Sequence, residues 1–304
     1  MAERFSYSKI DVYSQCGFKY RLRYVDKHFV NTDGVATELG SAIHETEESI
    51  ANAIKAGNSI DYIALKNKLI LKMIELEHKY KKDWFNQDKS NRTYRDKVYG
   101  YLQSGIYRLE RFMLANGHLQ IVDTEKEFEF TLPGTETVFH GFIDRILYNT
   151  KTNKYIVQDI KTYAVPVEKK NLKVPLQFVV YSYAMQNLYG ITAADLEYSY
   201  DLPFCDIIQS AGEEDFEETG RQELVNLLAS IQDNEFKPNP TPLCHWCEYC
   251  PTNPNQPAEG KNLCPYHSLW TKENRTKDIA ARWAGPEFHD LVLLEYIKCQ
   301  NSIQ

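Results

Sequence analysis

The sequence predicts an α/β fold with a central mixed β-sheet flanked by helices. Apolar residues recur at helical spacing through much of the first 118 residues, and short β-rich runs separated by turn signals begin at residue 119. A helix, a further strand or hairpin and another helix follow, which is the order typical of an α/β domain. We divide the chain into a mostly helical part (1–118), a core (119–234) and a cysteine-rich segment with C-terminal helices (235–304), and expect one compact domain.

The N-terminal part reads as a layer of helices. "ATELGSAIHETEESIANAIKAG" places Leu39, Ile43, Ile50 and Ile54 near helical spacing and ends on a glycine, which suits a helix terminus. The pattern continues in "IDYIALKNKLILKMIELEHKYKKDWF" and in "NRTYRDKVYGYLQSGIYRLERFMLANG", where Gly117 is a plausible stop.

Three strands come next. They are "LQIVDTEKEFEFTLP", "TVFHGFIDRILYN" and "KYIVQDIKT", with turn signals at Pro133-Gly134 and at 149–153, and this order predicts an antiparallel meander. A helix ending at Gly190, a strand or hairpin in "DLEYSYDLPFCDIIQSA" and an amphipathic helix in "FEETGRQELVNLLASIQDN" complete the core. The last stretch, from residue 269, is predicted to be helical on both sides of Gly285-Pro286.

Composition restricts the class of protein. With 43% hydrophobic and 25% charged residues, no apolar run near the roughly 20 residues that span a bilayer and no signal-peptide core, we expect a cytoplasmic protein that does not enter a membrane. The net charge of -7 argues against a wholly basic nucleic-acid surface. A local patch remains: Lys19, Arg21, Arg23 and Lys27 alternate with aromatic residues such as Tyr20, either as a strand-binding surface or as a solvated helix face.

Two acids and a lysine stand at strand positions that are otherwise apolar. Asp159 and Lys161 share one face of a strand, and Asp144 lies in the preceding strand, so pairing through the 149–153 turn would bring the two acids together. Nearby carboxylates repel unless a cation lies between them, and their oxygens favour Mg²⁺ or Mn²⁺. A lysine beside such a cation can stabilise charge on a phosphate. The alternative is an ion pair at a strand end.

Four short motifs follow one another along the chain, namely "GSAIH" (40–44), "GFIDR" (141–145), "DIKT" (159–162) and a helix with Gln177 and Tyr181 spaced i, i+4. Their order resembles that of the PD-(D/E)XK nuclease superfamily, in particular its RecB-like exonuclease branch. The resemblance implies a restriction-endonuclease-like core. It implies a metal held by His44, Asp144, Asp159 and the main-chain carbonyl of Ile160, with Asp144 and Asp159 also catalytic, Lys161 as the catalytic lysine, and Gln177 and Tyr181 positioning DNA or the site residues.

The motif residues have plainer alternatives. A histidine on an apolar helix face, such as His44, is often simply hydrogen-bonded, and Tyr181 can be core packing. Glu45, Glu47 and Glu48 can be solvated or can assist the metal, and the sequence does not decide between these.

Seven cysteines occur in a chain without a secretory signal, which favours metal ligation over disulfides. Zinc is the generic interpretation of CxxC followed by Cys264 and His267. AddB-type and CRISPR-associated members of the RecB-like branch instead place one cysteine before the core and three after it, and these four hold a 4Fe-4S cluster. The resemblance implies that the corresponding residues here are Cys16, Cys244, Cys247 and Cys264, with Cys250 as the alternative fourth ligand. Cys205 and Cys299 are expected to be unligated.

The resulting expectation is a Mg²⁺- or Mn²⁺-dependent DNA exonuclease that acts on single-stranded or duplex ends in recombination, repair or phage DNA processing, in a bacterial or phage-infected cell. No GxxxxGK[ST] loop is present, so ATP-driven unwinding would need a helicase or recombination partner. The alternatives are an end-trimming nuclease of a CRISPR-adaptation-like complex and a catalytically silent, cluster-stabilised DNA-binding subunit. The intact acids and lysine speak against the silent subunit.

Overall fold

The computed structural model describes residues 4–30, 34–85, 87, 91–163, 165–166, 176–211, 217–250, 253 and 263–266. The chain forms two compact units, one of Met1–Tyr7 with Asp33–Leu224 and one of Ser8–Thr32 with Val225–Gln304. We call these the sheet unit and the cysteine unit. The three-part division at residues 118 and 234 stays a prediction. Among the helices of the described residues, none has the length and apolar character that a membrane span requires. The predicted C-terminal helices lie outside these residues.

The sheet unit contains a six-stranded mixed sheet, as predicted. Its strands are β1 (Arg4–Phe5), β2 (Leu119–Thr131), β3 (Val138–Asn149), β4 (Lys154–Ile160), β5 (Leu196–Leu202) and β6 (Ile207–Ser210). Strands β2, β3 and β4 pair antiparallel, which confirms the meander, and β5 pairs parallel to β4 and antiparallel to β6. The sequence did not indicate β1, which pairs parallel to β3 over two residues, because so short a run carries no period.

The helices follow the predicted order. They are α1 (Tyr7–Gln15), α2 (Gly17–Tyr20), α3 (Val35–Lys55), α4 (Tyr62–Trp84), α5 (Tyr94–Gln103), α6 (Arg108–Ala115), α7 (Leu176–Tyr189) and α8 (Glu217–Gln232). Gly57 and Gly190 follow α3 and α7 with φ values of +68° and +67°, the left-handed conformation in which glycine commonly ends a helix.

The core of the sheet unit determines how α3 lies on the sheet. The predicted apolar face of α3 is buried at Leu39, Ile43 and Ile50, and it packs with Trp84 of α4 and Leu147 of β3. Each such side chain contributes roughly 1.5–3 kcal/mol when fully buried. Because Ile43 is fixed in this core, the next residue of the helix is held at the sheet.

A buried ionic network lies within the same unit. Arg108 of α6 places Nε 2.6 Å from Asp201 Oδ1 and Nη2 2.9 Å from Glu47 Oε2, and Arg145 of β3 places Nη1 2.7 Å from Asp201 Oδ2. Tyr101 donates its hydroxyl to Glu47 Oε1 at 2.5 Å. All five side chains are buried, so the network ties α3, α5, α6, β3 and β5 together.

The cysteine unit joins an early segment of the chain to a late one. Tyr13 donates its hydroxyl to the Glu235 carbonyl at 2.6 Å, and the Phe18 amide donates to the Lys237 carbonyl at 3.2 Å. A β-carbon at Gly17 would lie 2.9 Å from that same carbonyl, so only glycine permits this approach. The two segments therefore meet backbone to backbone immediately after Cys16.

Candidate active site and cysteine site

Asp144 and Asp159 lie where the pairing of β3 with β4 ends. The last pair in the register is Arg145 with Gln158, and the residues just beyond this pair are Asp144 on β3 and Asp159 on β4. Asp144 Oδ2 accepts a hydrogen bond from the Ile160 amide at 2.6 Å, and Asp159 is 1% exposed. The two carboxylates therefore lie close together, as the sequence predicted.

The two carboxylates disfavour each other's charge. Burial, followed by the charge of Asp159, raises the pKa of Asp144 to about 7. Burial also raises the pKa of Asp159, although the ammonium of Lys161 opposes this. A neighbouring cation would stabilise the charged forms of two such buried acids.

Lys161 is held on Asp159 by a chain of polar contacts. Its Nζ is 2.7 Å from Asp159 Oδ2 and donates to Gln177 Oε1 at 3.0 Å, and Gln177 Nε2 donates to the Tyr181 hydroxyl at 2.8 Å. Burial lowers the pKa of Lys161, but the Asp159 charge and hydrogen bond outweigh it, so the pKa is raised and the ammonium stays protonated. The sequence predicted these four residues as one group, and the structure places them in contact, while their catalytic roles stay predictions.

His44 of α3 faces the acids. Its Nδ1 is 3.9 Å from Asp144 Oδ1 and 3.8 Å from Glu125 Oε1, and within the described residues these three side chains form a group whose ligand atoms lie within 4.8 Å of one another. Burial lowers the pKa of His44, but the neighbouring carboxylates of Glu125 and Asp144 more than offset this and the pKa is raised. Asp159, another predicted ligand, is not part of this group, and the Ile160 carbonyl stays a predicted ligand.

Glu125 is the site residue that the sequence reasoning missed. It lies on β2 between the pairs Thr124–Arg145 and Lys126–Ile143, which places it across from Asp144. Its φ of +43° is in the left-handed region that non-glycine residues rarely adopt in a strand. No motif marks it, because it is one of several glutamates in "TEKEFEF".

The donor set fits a divalent cation. The two carboxylate oxygens suit Mg²⁺ and Mn²⁺, and the imidazole nitrogen suits a transition metal. Ligands at about 2.1 Å from an octahedral ion lie about 3.0 Å apart when adjacent and about 4.2 Å apart when opposite, so the distances measured from His44 require a small shift of the side chains to bind one ion. The group borders an open cleft of about 620 Å³ between α3 and the two strands.

Gly141 of the "GFIDR" motif has a packing reason. A β-carbon there would lie 2.9 Å from the Phe128 ring, which itself packs edge-on against the ring of Tyr181 at 6.1 Å between centroids. The absence of a side chain at Gly141 therefore lets α7 and β2 approach β3 closely next to the acids.

The predicted DNA-binding patch belongs to the cysteine unit, where its side chains have protein partners. Lys19 and Arg23 place their nitrogens 2.9 Å and 3.3 Å from the carboxylate of buried Glu248, and Arg21 pairs with Asp26. Tyr20 is 1% exposed and stacks on Phe236, so its ring does not offer a face to a base. DNA binding by the three basic residues stays a prediction, and the structure gives Lys19 and Arg23 a contact with the cysteine segment.

The cysteine unit encloses a cavity of about 220 Å³ whose lining includes all five cysteines considered as ligands, namely Cys16, Cys244, Cys247, Cys250 and Cys264. The Asn239 amide donates to Cys16 Sγ at 3.3 Å, and the Thr241 amide donates to Cys244 Sγ at 3.5 Å. Cys205 lies in the sheet unit and donates to the Tyr163 carbonyl. His267 and Cys299 lie outside the described residues.

The described cysteines are not gathered into a compact group around one point. Four thiolates at about 2.3 Å from one Zn²⁺ lie about 3.8 Å apart. Among the described cysteines, no three Sγ atoms lie within 4.8 Å of one another. A hydrogen bond with Cys250 and burial raise the pKa of Cys244, and burial raises the pKa of Cys247 to about 11 and of Cys264 to about 12. Ligand binding must therefore displace protons from these thiols.

The mixed sheet, the paired acids with their lysine and the group of His44, Glu125 and Asp144, which we call the cation-binding group because it could hold a cation, are the features to compare with known proteins. The family model of the PD-(D/E)XK nuclease superfamily matches residues 4–253, and the chain belongs to this superfamily. Its members are metal-dependent nucleases, so the chain is placed among the phosphodiester hydrolases. The comparison with curated proteins finds no match. A solved structure titled "Crystal structure of SSO0001" is similar at 18% identity, covering 61% of this chain and 81% of that one with a TM-score of 0.29, a likeness too low to carry an argument.

Proposed function

We propose that this protein is a divalent-metal-dependent DNA exonuclease of the RecB-like branch, acting on DNA ends. The observation that carries the proposal is the contact of Lys161 with Asp159 beside the group formed by His44, Glu125 and Asp144, in a chain of this superfamily. The motif order from residue 40 to residue 181 supports the RecB-like assignment. A helicase or recombination partner would supply duplex unwinding.

A bound Mg²⁺ or Mn²⁺ would supply charge neutralisation at the scissile phosphate and lower the pKa of a water. The chain's own residues hold the geometry. The Ile160 amide fixes Asp144 through Oδ2, which leaves Oδ1 directed towards His44. We assign His44, Glu125 and Asp144 to the cation, and keep Asp159 and the Ile160 carbonyl as further ligands.

Lys161 acts as a fixed cation in this proposal. Because its pKa is raised, it is a poor base and a good hydrogen-bond donor, suited to a phosphate oxygen or to the attacking water. Gln177 orients the ammonium through its carbonyl oxygen, and Tyr181 orients Gln177 in turn. Removing such a donor costs roughly 10²–10³ in kcat.

The test is a time course on end-labelled single- and double-stranded DNA with Mg²⁺ or Mn²⁺, with circular single-stranded DNA in parallel. We expect linear DNA to be digested and circles to be spared, and Lys161→Met to lose roughly 10²–10³ in kcat. Lys126→Met on β2, where the lysine pairs with Asp123 at the surface, is the matched control and should retain activity. Equal cutting of circles would refute the exonuclease assignment and leave a nuclease. Unchanged digestion by Lys161→Met would refute the assignment of the site.

We also propose that the cysteine cavity holds a 4Fe-4S cluster on Cys16, Cys244, Cys247 and Cys264. In such a cluster each thiolate binds a different iron, and the support for it here is that Cys16 and the late cysteines line one cavity. A ligand from residue 16 and others after residue 243 would close a very long loop, which makes the cluster a covalent brace of the cysteine unit.

Anaerobic purification with iron, sulfide and zinc analysis tests the cluster. We expect a brown protein with equal iron and acid-labile sulfide, and a colourless protein with one zinc ion per chain would refute the cluster. Cys264→Ser should lose iron, whereas Cys250→Ser should retain it. The reverse result would identify Cys250 as the fourth ligand.

A further inference from the structure

Phe142 is an exposed aromatic residue in the middle of a buried strand. The neighbouring apolar residues of β3, among them Phe139, Ile143 and Ile146, are completely buried, whereas Phe142 is 53% exposed. It lies two residues before Asp144. A large apolar side chain left in water at such a position has no role in the core of the sheet unit.

Phe142 lines the cleft that borders the cation-binding group. The same cleft of about 620 Å³ is lined by His44 and Glu125, and small side chains of α3, namely Ala36, Thr37 and Ser41, are among its other lining residues. The small side chains leave room opposite the ring. The cleft therefore has the volume to admit a flat group alongside Phe142.

The charge of the cleft selects what can occupy it. Glu45, Glu48 and Glu125 line it, and the lining residues include no lysine or arginine. Phosphates are repelled there except where a divalent cation neutralises them. The uncharged aromatic face of Phe142, beside the cation-binding group, can instead hold a nucleobase, because every base has a face that stacks on an aromatic ring.

We propose that Phe142 is the stacking platform for the nucleobase adjoining the scissile phosphate, so that the site takes an unstacked nucleotide from a single-stranded DNA end. This inference rests on the proposed nuclease function and names the substrate class of that site. A base in an intact duplex is stacked on its neighbours and cannot reach the ring, whereas a base at a single-stranded or frayed end can. Stacking tolerates any sequence, so the preference is for strand state and for the presence of a base.

The test compares normal oligonucleotides with oligonucleotides that carry one abasic nucleotide, placed at the terminal or the next-to-terminal position of either end. We expect the wild-type protein to process the abasic substrate with a kcat/KM about five- to hundredfold lower, the range that one stacked base supplies. Phe142→Ala should lose this discrimination, processing both substrates at the low rate, and Phe142→Trp should keep it. Tyr99→Ala, which removes a 62% exposed aromatic side chain from α5, is the matched control and should discriminate like the wild type.

Equilibrium binding of the same oligonucleotides in Ca²⁺, followed by fluorescence anisotropy, separates this inference from the proposed function. A protein that digests DNA while Phe142→Ala still discriminates against the abasic substrate would overturn the role of Phe142 and leave the nuclease intact. A protein that digests no DNA but binds it with a base preference that depends on Phe142 would overturn the nuclease and support the platform. Thermal unfolding and the Phe142→Leu variant, which keeps an apolar side chain without a ring, exclude a folding defect as the cause of lost discrimination.

Discussion

Replacing Arg108 with methionine should destabilise the sheet unit strongly. Arg108 is 3% exposed and contacts Asp201 at 2.6 Å and Glu47 at 2.9 Å, both of which are completely buried. Methionine keeps much of the apolar stem and removes the charge. Two buried carboxylates then lose a partner, and breaking a buried ion pair from one side costs about 3–5 kcal/mol. This is a large fraction of the 5–15 kcal/mol that typically stabilises a domain.

The expected change in Tm follows from this free energy. In a domain of 150–250 residues, 1 kcal/mol shifts Tm by about 2–4 °C, so Arg108→Met should lower it by about 6–20 °C. The assay is thermal unfolding followed by circular dichroism, with urea unfolding as a second measure.

The same helix provides a matched control for this variant. Arg111 contacts Asp206 at the same distance of 2.6 Å, but its side chain is 51% exposed. An exposed pair contributes about 0–1 kcal/mol, so Arg111→Met should lower Tm by less than about 4 °C. Equal shifts for the two variants would refute the argument that burial, rather than the ion pair itself, sets the cost.

The pH dependence of this difference gives an independent check. Burial raises the pKa of Asp201, but Arg108 and Arg145 outweigh it and the pKa is lowered. A lowered pKa in the folded state stabilises the fold above the unfolded value of about 3.9, and this contribution is lost as the pH falls through the folded pKa. The part of the Tm difference between wild type and Arg108→Met that depends on Asp201 should therefore narrow in acid, below about pH 4.

Three further changes test the two sites. Mn²⁺ affinity, measured by calorimetry, should fall about tenfold or more from pH 8 to pH 6, because Asp144 has a pKa of about 7 and its proton competes with the cation; a flat profile would contradict the assignment of Asp144. Glu125→Gln should weaken Mn²⁺ binding by at least about tenfold, because mutating even a residue that only hydrogen-bonds to a metal ligand lowers metal affinity by that factor. Glu127→Gln on the same strand should leave Mn²⁺ binding unchanged. Gly17→Ala should reduce the iron content of purified protein, because its β-carbon would lie 2.9 Å from the Lys237 carbonyl, whereas Gly100→Ala, whose β-carbon meets nothing within 4 Å, should leave it unchanged.

The helices and strands of the sheet unit could be predicted because each has its own hydrophobic periodicity or a glycine or turn signal that ends it. The face of α3 at Leu39, Ile43 and Ile50 repeats at helical spacing, and Gly57 and Gly190 end helices in the conformation that glycine favours. The meander followed from turn signals between short β-rich runs. The confirmed antiparallel pairing of β3 with β4 then placed Asp144 beside Asp159 without further information.

Features that depend on distant contacts could not be predicted in this way. The partner of Lys19 and Arg23 is Glu248, more than 200 positions away, so a pattern of basic and aromatic residues could not distinguish a nucleic-acid surface from an internal contact. Tyr20 alternates with these basic residues, yet it is buried against Phe236. Local spacing reports the face of a helix, and only the tertiary fold decides what covers that face.

Glu125 marks the limit of motif reasoning at the active site itself. A left-handed residue within a strand costs about 1–2 kcal/mol, and the carboxylate it presents adds repulsion beside Asp144, whose pKa Glu125 helps to raise. A bound cation would offset the electrostatic cost by taking up the negative charge. The sequence "TEKEFEF" does not distinguish its glutamates from one another, because each of them is compatible with an ordinary strand conformation. The strained backbone, which no sequence pattern reveals, is therefore the observation that distinguishes Glu125 from its neighbours and directs attention to it as part of the site.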